Sequence, residues 1–389
     1  MSIDFQQVRQ QIIELGEAAE RSVENNRRLL EEAHYLLHEH AQDCDAVRRK
    51  IERVVQAYDR NLRCALPLDE ALDQGYPLPP LPRQVTILAA DGSQIAPSRH
   101  EAFEYALVNV GAIRMGLGAA QAPVLKVESR LLYDEQIEDL TDATLALLRD
   151  LGERRLLADL AVELPPGAIT LTDGQMELWL GEAGSRDEHS LFQQSLLEYR
   201  QVLLQLRAAQ ASAAGYVDRP AGRGVMRMLE VLRMTEQELP EVRRSKPFRP
   251  LRDLHLFRGM LRPGERSALF EIQSPSSSFY ADDLALHFFY LNVGLEGRDS
   301  LARVEVPRWV VDTPAMLDDL HAVLVQQCRV MGGRPYPYLL HRAHETALVT
   351  LQEKEEITQM VLRELRGRGL EVYEKSNKQL AKDLESGRR

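Results

Sequence analysis

The sequence predicts an α/β fold, a mixed sheet core flanked by helices, with a long helical extension at the N-terminus. Three observations predict it. The apolar run Val85-Thr86-Ile87-Leu88-Ala89-Ala90 leads into Asp91-Gly92-Ser93, and a second, Ile169-Thr170-Leu171-Thr172, leads into Asp173-Gly174. Runs without polar alternation belong to strands buried on both faces, as in the parallel part of a sheet. Two more strand-like segments, 102–115 and 123–133, follow the first run after connections short enough for antiparallel hairpins. Residues 3 to about 64 carry apolar residues at helical spacing instead: Phe5, Val8, Ile12, Leu15, Ala19 and Val23, then Leu29, Leu30, Ala33, Leu36 and Leu37.

In chain order, residues 1–66 form the helical extension, a long helix or a helical hairpin. It is too charged to be a core by itself, so it is expected to pack on the body or on a second copy of the chain. His34 and His38 share a face there at i, i+4, with His40 beyond, but without a third ligand they read as surface histidines. Residues 67–82 hold five prolines, Pro67, Pro77, Pro79, Pro80 and Pro82, and form a stiff connector. The body spans 83–370: the three strands, a helix over about 136–162, the strand ending in Asp173, and a helix over about 188–212. A short strand at Gly215-Tyr216-Val217-Asp218 and a helix over roughly 222–235 follow. Strands near 266–272, 285–294 and 301–306, a helix near 314–330 and one long helix from about 338 to 366 complete it. The tail 371–389 is highly charged and expected to be mobile.

At 389 residues, with 44% apolar and 6% aromatic residues, the composition is that of a soluble globular protein. No run approaches the roughly 18 apolar residues of a membrane span, and the start MSIDFQQVRQ lacks a signal-peptide profile; a cytoplasmic location without membrane partners is expected. Cys44, Cys64 and Cys328, odd in number and far apart, argue against a disulfide framework and a structural zinc site. The net charge of −11 opposes nucleic-acid binding. The basic run Arg243-Arg244-Ser245-Lys246-Pro247-Phe248-Arg249-Pro250-Leu251-Arg252 supplies a local exception, read either as a backbone-binding patch or as a solvated loop.

A carboxylate at the end of each of two buried strands is rigidly held and points into the crevice at the sheet edge, a common way to hold a hard divalent cation such as Mg²⁺ or Mn²⁺. The glycine after each lets the chain turn away. The plain alternative is turn chemistry, since Asp-Gly is also a frequent strand terminator.

Three consecutive strands, a helix and a fourth strand resemble the chain order of the ribonuclease H-like fold. In that fold, metal-binding carboxylates lie at the end of the first strand, on the first helix and at the end of the fourth strand. Asp91 and Asp173 occupy the two strand positions, and Glu153 is the preferred helix carboxylate, with Asp150 and Glu163 as alternatives.

Further segments resemble the NurA family, prokaryotic nucleases that process DNA ends together with the hexameric HerA helicase. They are Asp91-Gly92-Ser93, Thr172-Asp173-Gly174, Gly215-Tyr216-Val217, the stretch from Leu261 to Phe270, Arg303-Val304-Glu305-Val306-Pro307, and the stretch from Tyr336 to Glu345. The resemblance runs from about Leu88 to Glu355 and makes 83–370 a nuclease domain. It implies a manganese-dependent deoxyribonuclease, with Mg²⁺ as an alternative, acting on single-stranded DNA and on the 5′ strand of duplex ends. It implies two metal ions held by Asp91, Glu153, Asp173 and His344, in a mechanism that sets them about 3.5–4 Å apart around the scissile phosphate. Lys246, Arg249 and Arg252 are then candidates to track the DNA backbone, and Tyr336 or Tyr338 to stack on a base unless they serve the core. A HerA-like helicase and a homodimer are the expected partners. Two competing functions are an actin-like ATP-dependent phosphotransferase, whose second Gly-rich phosphate turn is not evident, and a catalytically silent partner subunit.

Overall fold

A computed structural model of the chain describes residues 3–98, 103–118, 122–133, 137, 140–178 and 186–370. By compactness the chain divides into two units, residues 1–80 with 216–314, and residues 81–215 with 315–389.

The first unit opens with a helical hairpin, α1 (Phe5–Glu39) and α2 (Cys44–Ala57). The Asp4 carboxylate accepts the Gln6 and Gln7 backbone N–H groups and starts α1. Only the later part of α1 is packed: Ala33 and Leu37 join Val47, Ile51 and Val54 of α2 in a core cluster, whereas Phe5, Val8, Ile12, Leu15 and Val23 are exposed. His34 and His38 go to separate partners, Nε2 of His34 to the Leu256 carbonyl at 2.9 Å and Nδ1 of His38 to Asp73 at 2.5 Å. After β1 (Cys64–Pro67) the proline-dense stretch is tied down. Glu70 receives both terminal nitrogens of Arg266 at 2.8 and 2.7 Å, and Tyr76 exchanges two backbone hydrogen bonds with the same arginine.

The chain then builds most of the second unit: β2 (Val85–Ile95), β3 (Tyr105–Leu117), β4 (Val124–Tyr133), α3 (Asp142–Val162), β5 (Ile169–Asp173) and α4 (Arg186–Ala208). Strands β2, β3 and β4 form an antiparallel meander, and β5 lies parallel to β2 on its other side, giving the order β5-β2-β3-β4. This is the mixed, ribonuclease H-like arrangement that the sequence predicts. Ile87, Leu88, Ala89 and Ala90 of the central strand are completely buried. The edge strand β4 carries exposed Lys126, Glu128 and Arg130 at every second position, which discourages pairing with a further strand.

At β6 (Ser212–Asp218) the chain re-enters the first unit, where α5 (Gly224–Arg233), α6 (Asp253–Phe257), β7 (Phe270–Gln273), β8 (Leu286–Asn292), β9 (Leu301–Pro307) and α7 (Arg308–Val311) follow. Strands β1, β7, β8 and β9 are neighbours in that order, all antiparallel. Phe257, Phe270, Phe288 and Tyr290 pack at centroid distances of 4.7 to 6.5 Å in this unit's core, two pairs stacked, one tilted and one edge-on. Asp253 is structural here: it is fully buried and accepts the Val225 and Met226 N–H groups at the start of α5 and the Tyr290 hydroxyl. α8 (Pro314–Val330), α9 (Tyr338–Ala347) and α10 (Leu351–Gly367) complete the second unit.

Several elements differ from expectation, among them β1, where 1–66 is expected to be helical, and the short helices α6 and α7. The strand near 266–272 is shortened to Phe270–Gln273. The helix expected over 338–366 is two helices, because Leu348 is extended and Thr350 starts α10 with a capping box to Glu353. Strand β2 does not stop at Ala90 but continues to Ile95. The charged tail 371–389 lies outside the described residues.

Candidate functional site

Asp91 therefore sits inside a strand. Its antiparallel ladder with β3 continues through Asp91↔Gly111, Gly92↔Val110 and Ser93↔Asn109, while the parallel ladder with β5 ends at Ala90↔Thr172. Asp91 and Asp173 thus stand at neighbouring positions where two parallel strands part. Gly92 makes no turn. A Cβ there would strike the Arg149 stem and come within 2.9 Å of Glu153 Oε1, so the missing side chain is the space in which α3 lays both residues against β2. Gly174, in contrast, does turn the chain, at φ +102°.

Helix α9 brings the histidine. His344 Nδ1 lies 2.6 Å from Asp91 Oδ2, and three features seat the helix there. Gly111, opposite Asp91, leaves room for the α9 backbone: a Cβ on it would be 2.6 Å from the Ala347 nitrogen. The Ala347 carbonyl, at the end of the helix, accepts both the Ser93 hydroxyl at 2.5 Å and the Asn109 amide at 2.7 Å. Asn109 is in turn oriented by the Ser129 hydroxyl, 2.6 Å from its Oδ1. One motif, Asp91-Gly92-Ser93, thus presents a carboxylate, admits α3 and holds the end of α9.

Glu153 is only 3% exposed. Burial pushes its carboxyl well above the ordinary range, and the negative charges of Asp150 and Asp91 add to this, against the opposing pull of Arg154 and Arg149. The buried Arg154 donates to the Asp150 carbonyl at 2.8 Å and to the Gln175 carbonyl at 2.6 Å, with its guanidinium 5.1 Å from the centre of the Tyr199 ring. It thereby ties α3 to the turn that follows Asp173. Gly215 lets that turn approach closely, since a Cβ there would meet the Gly174 carbonyl oxygen at 2.5 Å.

The structure thus brings Asp91 and His344 together on the α9 face and sets Asp173 on the adjoining strand end, while Glu153 reaches the same stretch of β2 from the α3 face, behind Gly92. Asp150 lies on α3 one turn before Glu153 and accepts from Arg149 at 2.9 Å. Glu163 is the exposed C-cap of α3, about 15 Å farther along the axis. Among the described residues no three His, Cys, Asp or Glu side chains form a ready-made metal-holding group. Lys246, Arg249 and Arg252 belong to the first unit, exposed around the buried Phe248 and Leu251. Tyr338 is half-buried at the start of α9, with Tyr336 half-buried just before it.

Sequence reasoning missed Ser93, Asn109, Gly111 and Arg154. Two of them left a signal: Asn109 and Gly111 interrupt an otherwise apolar strand, where a buried amide needs a partner and a glycine marks a close backbone approach.

The NurA domain family matches residues 85–349. The chain belongs to the NurA family. Its fold is similar to that of the NurA nuclease from Sulfolobus solfataricus, with 13% sequence identity and a TM-score of 0.50 over 76% of this chain and 88% of that one. Lower-scoring likenesses include Ciona intestinalis Endonuclease V in complex with a 24mer DNA containing an inosine followed by a ribo-adenosine. That pair shows a TM-score of 0.33 and 11% identity over 81% of this chain and 99% of that one. Another is the type 1 RNase H named LC9-RNase H1, with a TM-score of 0.21 and 16% identity over 38% of this chain and 67% of that one. No curated protein matches the chain in sequence. No described helix is long and apolar enough to cross a membrane.

Proposed function

We propose that this NurA-family protein is a metal-dependent DNA nuclease, cutting single strands internally and digesting 5′ to 3′, in the resection of DNA ends. The observation that carries the reading is the meeting of the Asp91 carboxylate with His344 at 2.6 Å, at the point where the two parallel strands carrying Asp91 and Asp173 part.

The donor chemistry suits a divalent cation. Three carboxylates select a hard ion, and one imidazole shifts the preference from Mg²⁺ toward Mn²⁺. Glu153 is the carboxylate of α3 assigned to this set, because Gly92 admits it to the strand. A bound ion would draw these side chains toward it, and the His344 ring already faces Asp91. Bound ions would supply the lowered pKa of the attacking water and the neutralisation of the leaving 3′ oxygen. Asp91, Glu153, Asp173 and His344 would hold them; the Ser93 and Asn109 clamp fixes the helix that carries the imidazole. Lys246, Arg249 and Arg252 follow the DNA backbone, and Tyr338 stacks on a base.

The protein works in the cytoplasm as a homodimer with a HerA-type hexameric helicase. The exposed apolar positions of α1 between Phe5 and Val23 support an assembly role for that segment. The test of the function is digestion of end-labelled single-stranded DNA with Mn²⁺, comparing the native chain with Asp91→Ala and Asp173→Ala. Both variants should be inactive while keeping the native melting temperature; cleavage surviving both substitutions would overturn the site and the function together.

A further inference from the structure

Arg149 occupies an unusual place for a cation. It lies four residues before Glu153 on α3, so the two share a helix face, and its Nε is 3.6 Å from Glu153 Oε1. Its terminal nitrogen donates to Asp150 at 2.9 Å. Its aliphatic stem runs across β2 at Gly92, where any Cβ would strike it. The stem is thus admitted beside the residue next to Asp91 by a glycine whose backbone conformation requires none, and the guanidinium emerges toward Asp150 and Glu153. About a third of the side chain reaches solvent, and its Nε makes no hydrogen bond.

Charge balance for Glu153 alone does not call for this arrangement, since Arg154 already lies beside that carboxylate. Four carboxylates at this end of the sheet, Asp91, Asp150, Glu153 and Asp173, repel a phosphodiester. A permanently charged planar group among them offsets that repulsion and matches two phosphate oxygens at once. We propose that Arg149 is a substrate-binding residue that grips a backbone phosphate of the DNA strand entering the carboxylate site, an inference that rests on the nuclease reading. The group then exchanges a loosely held carboxylate for the phosphate, and no bond is made or broken.

The test uses the full chain and a fluorescent oligothymidylate, with affinity measured against salt in the presence of a chelator and steady-state cleavage measured separately with Mn²⁺. The variants are Arg149→Gln, Arg149→Lys and, as a control that removes one charge from the same helix, Arg155→Gln. Losing one phosphate contact should reduce the slope of log affinity against log salt by about 0.7 in Arg149→Gln, with KM raised roughly tenfold, whereas Arg155→Gln keeps both. Arg149→Lys keeps the salt slope but raises KM severalfold, because a point charge replaces a fork; it carries the test if Arg149→Gln fails to fold. An Arg149→Gln chain with native melting, slope and KM, or an Arg149→Lys chain with native KM, overturns the proposal while leaving the nuclease reading intact. A native chain that neither binds nor cuts the oligonucleotide defeats that reading, and the role of Arg149 with it.

Discussion

At Asp91-Gly92 the strand runs on, fully paired to β3 as far as Ile95, whereas at Asp173-Gly174 it stops and the chain turns with Gly174 at φ +102°. A Cβ on Gly92 would strike α3, while one on Gly174 would meet nothing within 4 Å. The first glycine is needed for space and the second for backbone conformation, although the two dipeptides are spelled alike. Each places a carboxylate at the same level of the sheet by a different physical route.

Replacing the carboxylates tests whether both routes serve one site. Asp91→Asn and Asp173→Asn should each lower cleavage of single-stranded DNA on the order of 10³-fold, because charge stabilisation worth several kcal/mol is lost, with melting nearly unchanged. A near-native rate in one of them would reduce that copy to turn chemistry and break the comparison. Replacing the glycines should separate the two routes. Gly92→Ala displaces Glu153 and Arg149 and should lower activity on the order of 10²-fold. Gly174→Ala should chiefly cost about 1–2 kcal/mol of stability in denaturant unfolding, the strain of a left-handed backbone. The opposite pattern would mean that the roles are reversed.

Smaller effects sharpen the picture. Asn109→Ala frees one side of the Ala347 carbonyl and should lower activity or Mn²⁺ affinity roughly 10- to 100-fold, as loss of an outer-shell support does; an unchanged Mn²⁺ activation curve would show that Ser93 alone holds α9. The smallest concerns pH. Since the folded state raises the Glu153 carboxyl above its ordinary 4.5, the native chain binds that proton more tightly when folded. Its stability relative to Glu153→Gln therefore falls as pH rises from about 4.5 toward the folded value, by up to roughly 1.4 kcal/mol per unit. In metal-free buffer Glu153→Gln should melt with the native chain near pH 4 and above it near pH 8. Equal melting at both would place that carboxyl in a more solvated setting.

Much of the second unit was legible because its signals are local. The unbroken apolar run 85–90, the hairpin-length connections and the helical stretch before Ile169 each follow from period and punctuation; the arrangement around Asp91 and Asp173 came from the resemblance of that chain order to the ribonuclease H-like fold. The continuation of β2 through Asp91-Gly92-Ser93 was not legible, since Asp-Gly ordinarily ends strands and only the partner strand and α3 make it otherwise. The clamp on α9 was hidden for the same reason: Ser93 and Asn109 meet Ala347 across 254 and 238 residues of sequence. The break between α9 and α10 did have a local mark, the Thr350 to Glu353 capping box, but the helical pattern on either side masks it. In the first unit, Arg266 was read as part of a strand, whereas its side chain secures the proline-dense stretch through Glu70.

The double anchorage of the Ala347 carbonyl turns the last turn of α9 into an angular gauge. A helix rotates about 100° per residue, so the three-residue interval from His344 to the anchored carbonyl sets the direction in which the imidazole points. Adding or deleting one residue in that interval would swing the ring by more than a quarter turn, away from Asp91, without altering any of the site's chemical groups. Evolution is free to exchange residues there for others, but the count between those two positions has to stay fixed.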